Sequence, residues 1–151
     1  MNRLMIRMAA PSDLRLLAEL FDGYRQFYLQ PADIERARDF IGERLARNDS
    51  WILVAEQQDE LLGFCQLYPS FSSTTTSRIA ILNDLYVANS ARQKGVGVAL
   101  LRAAEELGKN LGVTSLELAT AISNSSAQSL YEKQDWNRDQ EFYYYSKYIP
   151  S

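Results

Sequence analysis

The chain has 151 residues, and 46% of them are hydrophobic, which is enough to fill the core of one domain. Its formal net charge of −3 argues against a nucleic-acid partner, because contacts with phosphates need a clustered basic excess. One cysteine, Cys65, and no histidine leave no basis for an internal disulfide, for a zinc site or for catalysis by histidine.

The first half of the chain predicts a strand followed by two helices. Apolar and polar residues alternate over residues 4–8, as in a short strand. A helix then begins at residues 11–13, with Ser12 or Asp13 as its cap, and a second helix runs from residues 31–33 to residues 48–49.

The period changes after the second helix. Residues 51–56 and 61–68 predict two strands joined by a polar turn at residues 57–59, most simply an antiparallel hairpin. The serine- and threonine-rich stretch 69–77 predicts a loop, and residues 79–87 predict a third strand of this group.

The last part of the chain alternates helices with strands. Residues 95–111 predict a helix that Gly112 ends, followed by a strand over residues 114–120. Residues 124–134 predict a shorter helix, and residues 142–149 a final strand with four tyrosines. The order predicts one α/β sheet with helices on both faces.

Gly95 and Gly97 lie at the first turn of a predicted helix, directly after a strand and a loop. Free backbone N–H groups there form an anion site, to which Arg92 and Lys94 add positive charge. The alternative is that the glycines only shape a turn and the two cations are solvated. Neither the dinucleotide fingerprint nor the mononucleotide phosphate loop is present.

Two motifs resemble the GNAT superfamily of acetyl-CoA-dependent N-acetyltransferases. The first is "RQKGVG", residues 92–97, after a strand that ends in "LYV". The second is "NSSAQSLYEKQDW", residues 124–136, in which Asp135 and Trp136 stand where the family has Gly-Phe. "LYPSFSS" and "LNDLYV" look like segments of the branch that includes polyamine and histone acetyltransferases.

This resemblance implies a single N-acetyltransferase domain over residues 1–151. The implied α/β (α+β) fold is a mixed, mostly antiparallel sheet of six to seven strands with about four helices, splayed between the strand ending at Val87 and the strand 114–120. It also implies acetyl-CoA as the co-substrate, and the composition leads us to expect no metal. The resemblance implies that Leu85, Tyr86 and Val87 contact the pantetheine of the cofactor. It implies that the pyrophosphate is held by Arg92, Gln93, Lys94, Gly95, Val96, Gly97 and Val98. It adds three further cofactor contacts, Asn124, Ala127 and Tyr131.

Tyr131 is the candidate proton donor to the departing thiolate. Its offset from Asn124 places both on one helical face, and a phenol with a pKa of about 10 is protonated at neutral pH. Periodicity alone also fits a tyrosine in the core, whereas the resemblance implies the donor. Asn124 is suited to cap the helix, and the resemblance adds a pantetheine contact.

Asn83 and Asp84 are the candidate residues on the acceptor side. Alternation predicts that they lie on opposite faces of their strand. Asn83 would orient water or substrate, and Asp84 would be the general base if its face lines the acceptor cleft, the alternative being an exposed or lysine-paired aspartate. Ordered water is the expected route for the proton.

We therefore expect direct acetyl transfer to a primary amine in a ternary complex. The acceptor is a small amine, a polyamine, an amino acid or a peptide amine. The alternative is a CoA-binding sensor without turnover. Cys65 is expected to be buried and inert. Aromatic and acidic residues suited to a cationic amine are Tyr24, Tyr28, Asp22, Asp33 and Tyr143 to Tyr145. The alternative is that they are surface carboxylates and packing tyrosines.

Three expectations concern location and assembly. No stretch approaches the about 20 apolar residues that span a bilayer, and the N-terminus lacks the apolar core of a signal peptide. We expect a cytoplasmic protein without a membrane partner. A homodimer is an expectation from the resemblance and from the aromatic C-terminal strand, although burial within one chain explains that strand equally well.

Overall fold

The computed structural model describes residues 3–151. Backbone contacts divide the chain into two units, Met1–Ala119 and Thr120–Ser151. The single domain over residues 1–151 stays a prediction, and its first two residues, Met1 and Asn2, lie outside the described part.

The first unit is a sheet with three helices along its described residues. Its elements in chain order are β1 (Met5–Met8), α1 (Leu14–Phe27), α2 (Ile34–Arg47), β2 (Trp51–Gln57), β3 (Glu60–Ser72), β4 (Ser77–Val87), α3 (Val96–Leu111) and β5 (Leu116–Glu117). The strands follow one another in the sheet in the order β1-β2-β3-β4-β5. Three neighbouring pairs are antiparallel, and β4 with β5 is parallel.

Apolar residues cover both faces of the sheet. Helices α1 and α2 contribute Leu17 and Ile41 to a buried cluster that includes Val54 and Phe64 of the sheet. Helix α3 packs against β2, β3 and β4, and alternate residues of these strands, such as Cys65, are buried as well. The prediction of helices on both faces of one sheet agrees with this arrangement.

A group of ion pairs fastens β1 to the start of α1. Arg7 donates to both carboxylate oxygens of Asp13, at 2.8 and 2.9 Å, and to Glu56 at 2.9 Å. Asp13 also accepts from the backbone N–H of Ala10 at 2.6 Å, so its carboxylate holds the short 3-10 turn Pro11–Asp13 rather than capping α1. The hydrogen bonds from Arg7 lower the pKa of Asp13 and raise that of the guanidinium.

The predicted loop 69–77 is wrong in its first half. Strand β3 continues to Ser72, which pairs with Ser77, so the connection to β4 spans only residues 73–76. Proline is tolerated at position 69 because β2 pairs with β3 only as far as Leu67, beyond which that edge of β3 has no ladder to interrupt.

The second unit, residues 120–151, contains the helix α4 (Ser125–Lys133). The predicted cap is confirmed, because Asn124 Oδ1 accepts from the N–H of Ala127 at 3.1 Å. The predicted strand 142–149 is wrong: this segment forms no strand, and Tyr143, Tyr145 and Tyr148 are 90%, 93% and 83% exposed. Alternating aromatics favour a strand, but a strand needs a hydrogen-bonded partner.

The described residues hold four α-helices, as predicted, and five strands rather than six to seven. Besides the missing C-terminal strand, the predicted strand 114–120 is reduced to the two residues of β5. The mixed, mostly antiparallel character of the sheet is confirmed.

Candidate active site

The connection between β4 and α3 forms a left-handed turn in front of the helix. Gln93 has φ 64° and Gly95, at the helix N-cap, has φ 81°. The first helical bond runs from the N–H of Ala99 to the carbonyl of Gly95. The N–H groups of Val96, Gly97 and Val98 precede that bond, at the positive end of the helix dipole. A turn of this kind presents successive N–H groups to an anion.

Arg92 is held at the base of the same turn. Its Nε donates to the carbonyl of Val87 at 3.1 Å, and its guanidinium lies 5.6 Å from the ring centroids of Phe27 and Tyr86. These contacts link the C-terminal end of α1 with the end of β4. Lys94 is exposed.

The edge of β4 that faces β5 is open along most of its second half. The parallel pairing joins Ala80 to Leu116 and Ile81 to Glu117, whereas β4 continues to Val87. Leu85, Tyr86 and Val87 are all partly accessible. Within the first unit the two strands therefore separate beside the predicted pantetheine residues, as the splay in the expected fold requires.

A β-bulge lies at Asn83. Gln66 pairs with Asp84 and Leu67 with Leu82, so Asn83 is an extra residue in β4. The predicted alternation fails at this point, because Asn83 Nδ2 donates to Asp84 Oδ1 at 2.9 Å and the two side chains meet. The backbone carbonyl of Asn83 accepts from the hydroxyl of Tyr24 at 3.2 Å.

Asp84 is buried, with 3% exposure, and is neither exposed nor paired with lysine. Its second oxygen accepts from Gln66 Nε2 at 2.6 Å, and Gln66 Oε1 accepts from the hydroxyl of Ser50 at 2.7 Å. Gln66 is fully buried. Ser50 and Gln66 are not among the predicted site residues, although a glutamine inside an apolar strand is the kind of residue that needs a polar partner.

Two neighbours of this carboxylate have raised pKa values. Burial raises the pKa of the Cys65 thiol to about 12, and the charge of Asp84 adds to the effect. Burial and the same charge raise the pKa of Tyr68 to about 12. Cys65 is thus buried, as expected.

The acidic residues suggested for a cationic acceptor have structural partners. Asp22 is buried and accepts from Arg25 at 2.7 Å, from Gln26 at 3.1 Å and from the N–H of Asp33. Asp33 caps α2 by accepting from the N–H of Arg36 at 3.1 Å. Both carboxylates thus hold the connection between α1 and α2.

Tyr131 and Asn124 belong to α4 of the second unit. The Tyr131 ring lies 6.1 Å from that of Trp136, and the N–H of Trp136 donates to the Tyr131 carbonyl. Asp135 has φ 67°, the left-handed conformation that glycine adopts most easily at the end of a helix. Asp135, which stands where the motif that it resembles has glycine, thus adopts a conformation that favours glycine.

The described residues hold neither a cluster suited to a metal ion nor a helix suited to a membrane. No group of three or more His, Cys, Asp or Glu side chains in residues 3–151 could hold a metal ion. Among the helices of the same residues, none has the length and apolar character to cross a membrane.

Residues 17–136 match the model of the acetyltransferase (GNAT) family. The chain is 44% identical over 146 residues to the uncharacterized N-acetyltransferase YhfO of Bacillus subtilis, a match that covers 97% of this chain and 98% of the relative. It is 33% identical over 95 residues to the aminoglycoside N(6')-acetyltransferase type 1 of Klebsiella aerogenes, with 62% of each chain covered.

Solved structures agree with these relatives. The crystal structure of a probable acetyltransferase, 41% identical, matches with a TM-score of 0.90 over 97% of this chain and 99% of that one. An aminoglycoside N-acetyltransferase in complex with CoA shares the fold, with a TM-score of 0.79 at 19% identity over 99% and 97% of the two chains. GNAT acetyltransferases use acetyl-CoA. The chain belongs to the GNAT family and is an N-acetyltransferase.

Proposed function

We propose that this enzyme transfers the acetyl group of acetyl-CoA directly to a primary amine while both substrates are bound. One continuous stretch, residues 83–98, supports the proposal most strongly. It combines the bulge at Asn83, the open edge of β4 and the left-handed turn at the start of α3.

The residues of this stretch fit the parts of acetyl-CoA. On the edge of β4 away from β3, the backbone from Leu85 to Val87 has no β5 partner and is suited to hydrogen-bond the pantetheine amides like an added strand. The N–H groups from Gln93 to Val98 are suited to the pyrophosphate, with Lys94 adding charge at its edge. Arg92 would reach a phosphate only by giving up its contacts with Phe27 and Tyr86.

Acetyl-CoA supplies the acetyl group as a thioester, and the protein must manage two protons. Tyr131 donates one to the departing thiolate, while Asn124 and Ala127 of α4 contact the pantetheine arm. The amine proton leaves through ordered water, because the carboxylate of Asp84 is buried and both of its oxygens already accept hydrogen bonds. Asn83 is exposed and orients water or the acceptor.

Direct transfer is favoured over an acetyl-cysteine route. The thiol of Cys65 is fully buried, and its pKa of about 12 leaves almost no thiolate near neutral pH.

The names of three relatives suggest candidate classes for the acceptor amine. Their names include an aminoglycoside N(6')-acetyltransferase, a D-amino-acid N-acetyltransferase and a thialysine N-epsilon-acetyltransferase. An aminoglycoside, a D-amino acid, thialysine, a polyamine and a basic peptide therefore make the first panel. Free thiol is followed with acetyl-CoA present, and calorimetry measures acetyl-CoA binding separately.

Thiol release that depends on one of these amines supports the proposal. Acetyl-CoA binding without thiol release for any of these amines would favour the alternative, a CoA-binding sensor without turnover. The names of the relatives do not favour that alternative. Cytoplasmic location and a homodimer stay predictions, and light scattering on the purified chain tests the second.

A further inference from the structure

A chain of four polar side chains runs from Ser50, just before β2, across β3 and β4 to the bulge. The hydroxyl of Ser50 donates to Gln66, Gln66 donates to Asp84, and Asn83 donates to the other oxygen of Asp84, with distances of 2.7, 2.6 and 2.9 Å. Gln66 is fully buried and Asp84 is 3% exposed, whereas Asn83 is exposed. Buried polar groups in such a chain hold one another in a single arrangement.

The hydrogen bond to Asp84 sets how the Asn83 amide is oriented. Asn83 Nδ2 donates to Asp84 Oδ1 at 2.9 Å. The Oδ1 of Asn83 then points away from the carboxylate. The backbone carbonyl of the same residue is held independently by the hydroxyl of Tyr24, at 3.2 Å. Asn83 is thus fixed at its backbone and at its amide nitrogen, while its amide oxygen is the atom it can offer to a ligand.

The position of this oxygen suits an amine. Asn83 is the extra residue of the bulge, at the start of the part of β4 that has no β5 partner and to which we assign the pantetheine arm. An attacking amine has N–H bonds and a lone pair. A fixed acceptor for one N–H leaves the lone pair free to be aimed at the carbonyl carbon.

We propose that Asn83 Oδ1 accepts a hydrogen bond from the acceptor amine, and that Gln66 and Asp84 are positioning residues that act through Asn83. This inference rests on the proposed function and adds to it a specificity determinant for the amine. Asp84 is 3% exposed and its two oxygens accept from Gln66 and Asn83, so in this proposal it does not touch the acceptor.

The test compares two ways of removing the oriented amide. Asn83→Ala removes the oxygen. Gln66→Leu combined with Asp84→Leu leaves Asn83 in place without its anchor, and replacing both partners of a buried hydrogen bond with apolar groups of similar size costs little stability. We expect each change to lower kcat/KM for the best amine of the panel at least about tenfold, with the acetyl-CoA Kd unchanged within about twofold.

The combination of all three substitutions separates positioning from mere packing. If the anchor acts through Asn83, the triple variant loses no more than about threefold beyond Asn83→Ala, because the two effects are not independent. The inference is overturned if the triple variant shows the product of the two separate losses. It is also overturned if the variant with Gln66→Leu and Asp84→Leu keeps the wild-type kcat/KM for the amine. Arg7→Met, which breaks ion pairs elsewhere in the sheet, controls for lost stability.

A second measurement needs no turnover. The side-chain amide signal that disappears in Asn83→Ala identifies this residue in a 15N–1H spectrum. It should shift when the amine is added to the complex with CoA, and an unchanged signal contradicts the inference even if the anchor-free variant does not fold. Thiol release by the wild type together with full activity of Asn83→Ala refutes only this inference. Absence of thiol release from the wild type refutes the proposed function instead.

Discussion

The turn in front of α3 makes a sharp prediction for Gly95→Ala. Gly95 has φ 81° and ψ 7°, and a Cβ atom added there would meet no atom within 4 Å. The cost is therefore conformational rather than steric. A left-handed residue other than glycine costs about 1–2 kcal/mol, and the lower entropy of the unfolded alanine chain offsets about 0.4–1 kcal/mol of that cost.

We expect Gly95→Ala to lower the free energy of unfolding by about 1 kcal/mol, or Tm by about 2–4 °C for a chain of this length. The acetyl-CoA Kd should rise about tenfold, equivalent to about 1.4 kcal/mol, because the new methyl group either occupies the space above the turn or forces the N–H groups out of line. Thermal unfolding and calorimetry measure the two effects separately.

Gly112→Ala is the matched control at the other end of the same helix. Gly112 has φ 74°, and its added Cβ would have only Arg78 Nη2 nearby, at 3.9 Å. This variant should lose similar stability and keep the wild-type acetyl-CoA Kd within about twofold. Equal Kd values for the Gly95 variant and the wild type, or equal weakening in the two variants, would refute the assignment of the turn to the pyrophosphate.

Four further predictions concern other parts of the chain. Tyr131→Phe should lower kcat more than about tenfold with little change in the acetyl-CoA Kd; equal effects on both would point to a packing role. Cys65 should react with a thiol reagent at pH 8 only after denaturation, and Cys65→Ala should keep kcat. Because the pKa of Asp13 in the folded chain lies below its ordinary value of 3.8, the ionised carboxylate stabilises the fold at pH values above 3.8. This stabilisation is lost as the pH falls through the pKa of the folded chain. Asp13→Asn should therefore cost about 2 kcal/mol at pH 7 and flatten the acid limb of a stability-pH curve. Asp135→Gly should raise the free energy of unfolding by up to about 1 kcal/mol, since its φ is 67°.

Features set by neighbouring residues could be predicted from the sequence. The cap at Asn124 and the glycine that ends α3 each depend on a few adjacent positions, and both lie where the sequence predicts them. The two motifs that carry the family resemblance, residues 92–97 and 124–136, likewise consist of adjacent positions and can be recognised in the sequence.

Features that depend on distant partners could not be predicted in this way. Strand β3 extends past Pro69 because β4 pairs with it there, and residues 142–149 form no strand despite their pattern. Gln66 and Asp84 are separated by 18 positions, and the bulge at Asn83 breaks the alternation on which a prediction of facing side chains relies.

The early end of the pairing between β4 and β5 has a consequence for handling the protein. Beyond Ile81 the strand keeps backbone donors and acceptors that no neighbouring strand of the first unit uses. Such an edge can recruit an extended segment of another molecule, and natural proteins usually shield it. An acetyl-CoA molecule lying along this edge would cover it. Self-association through β4 is therefore expected in preparations from which acetyl-CoA has been removed.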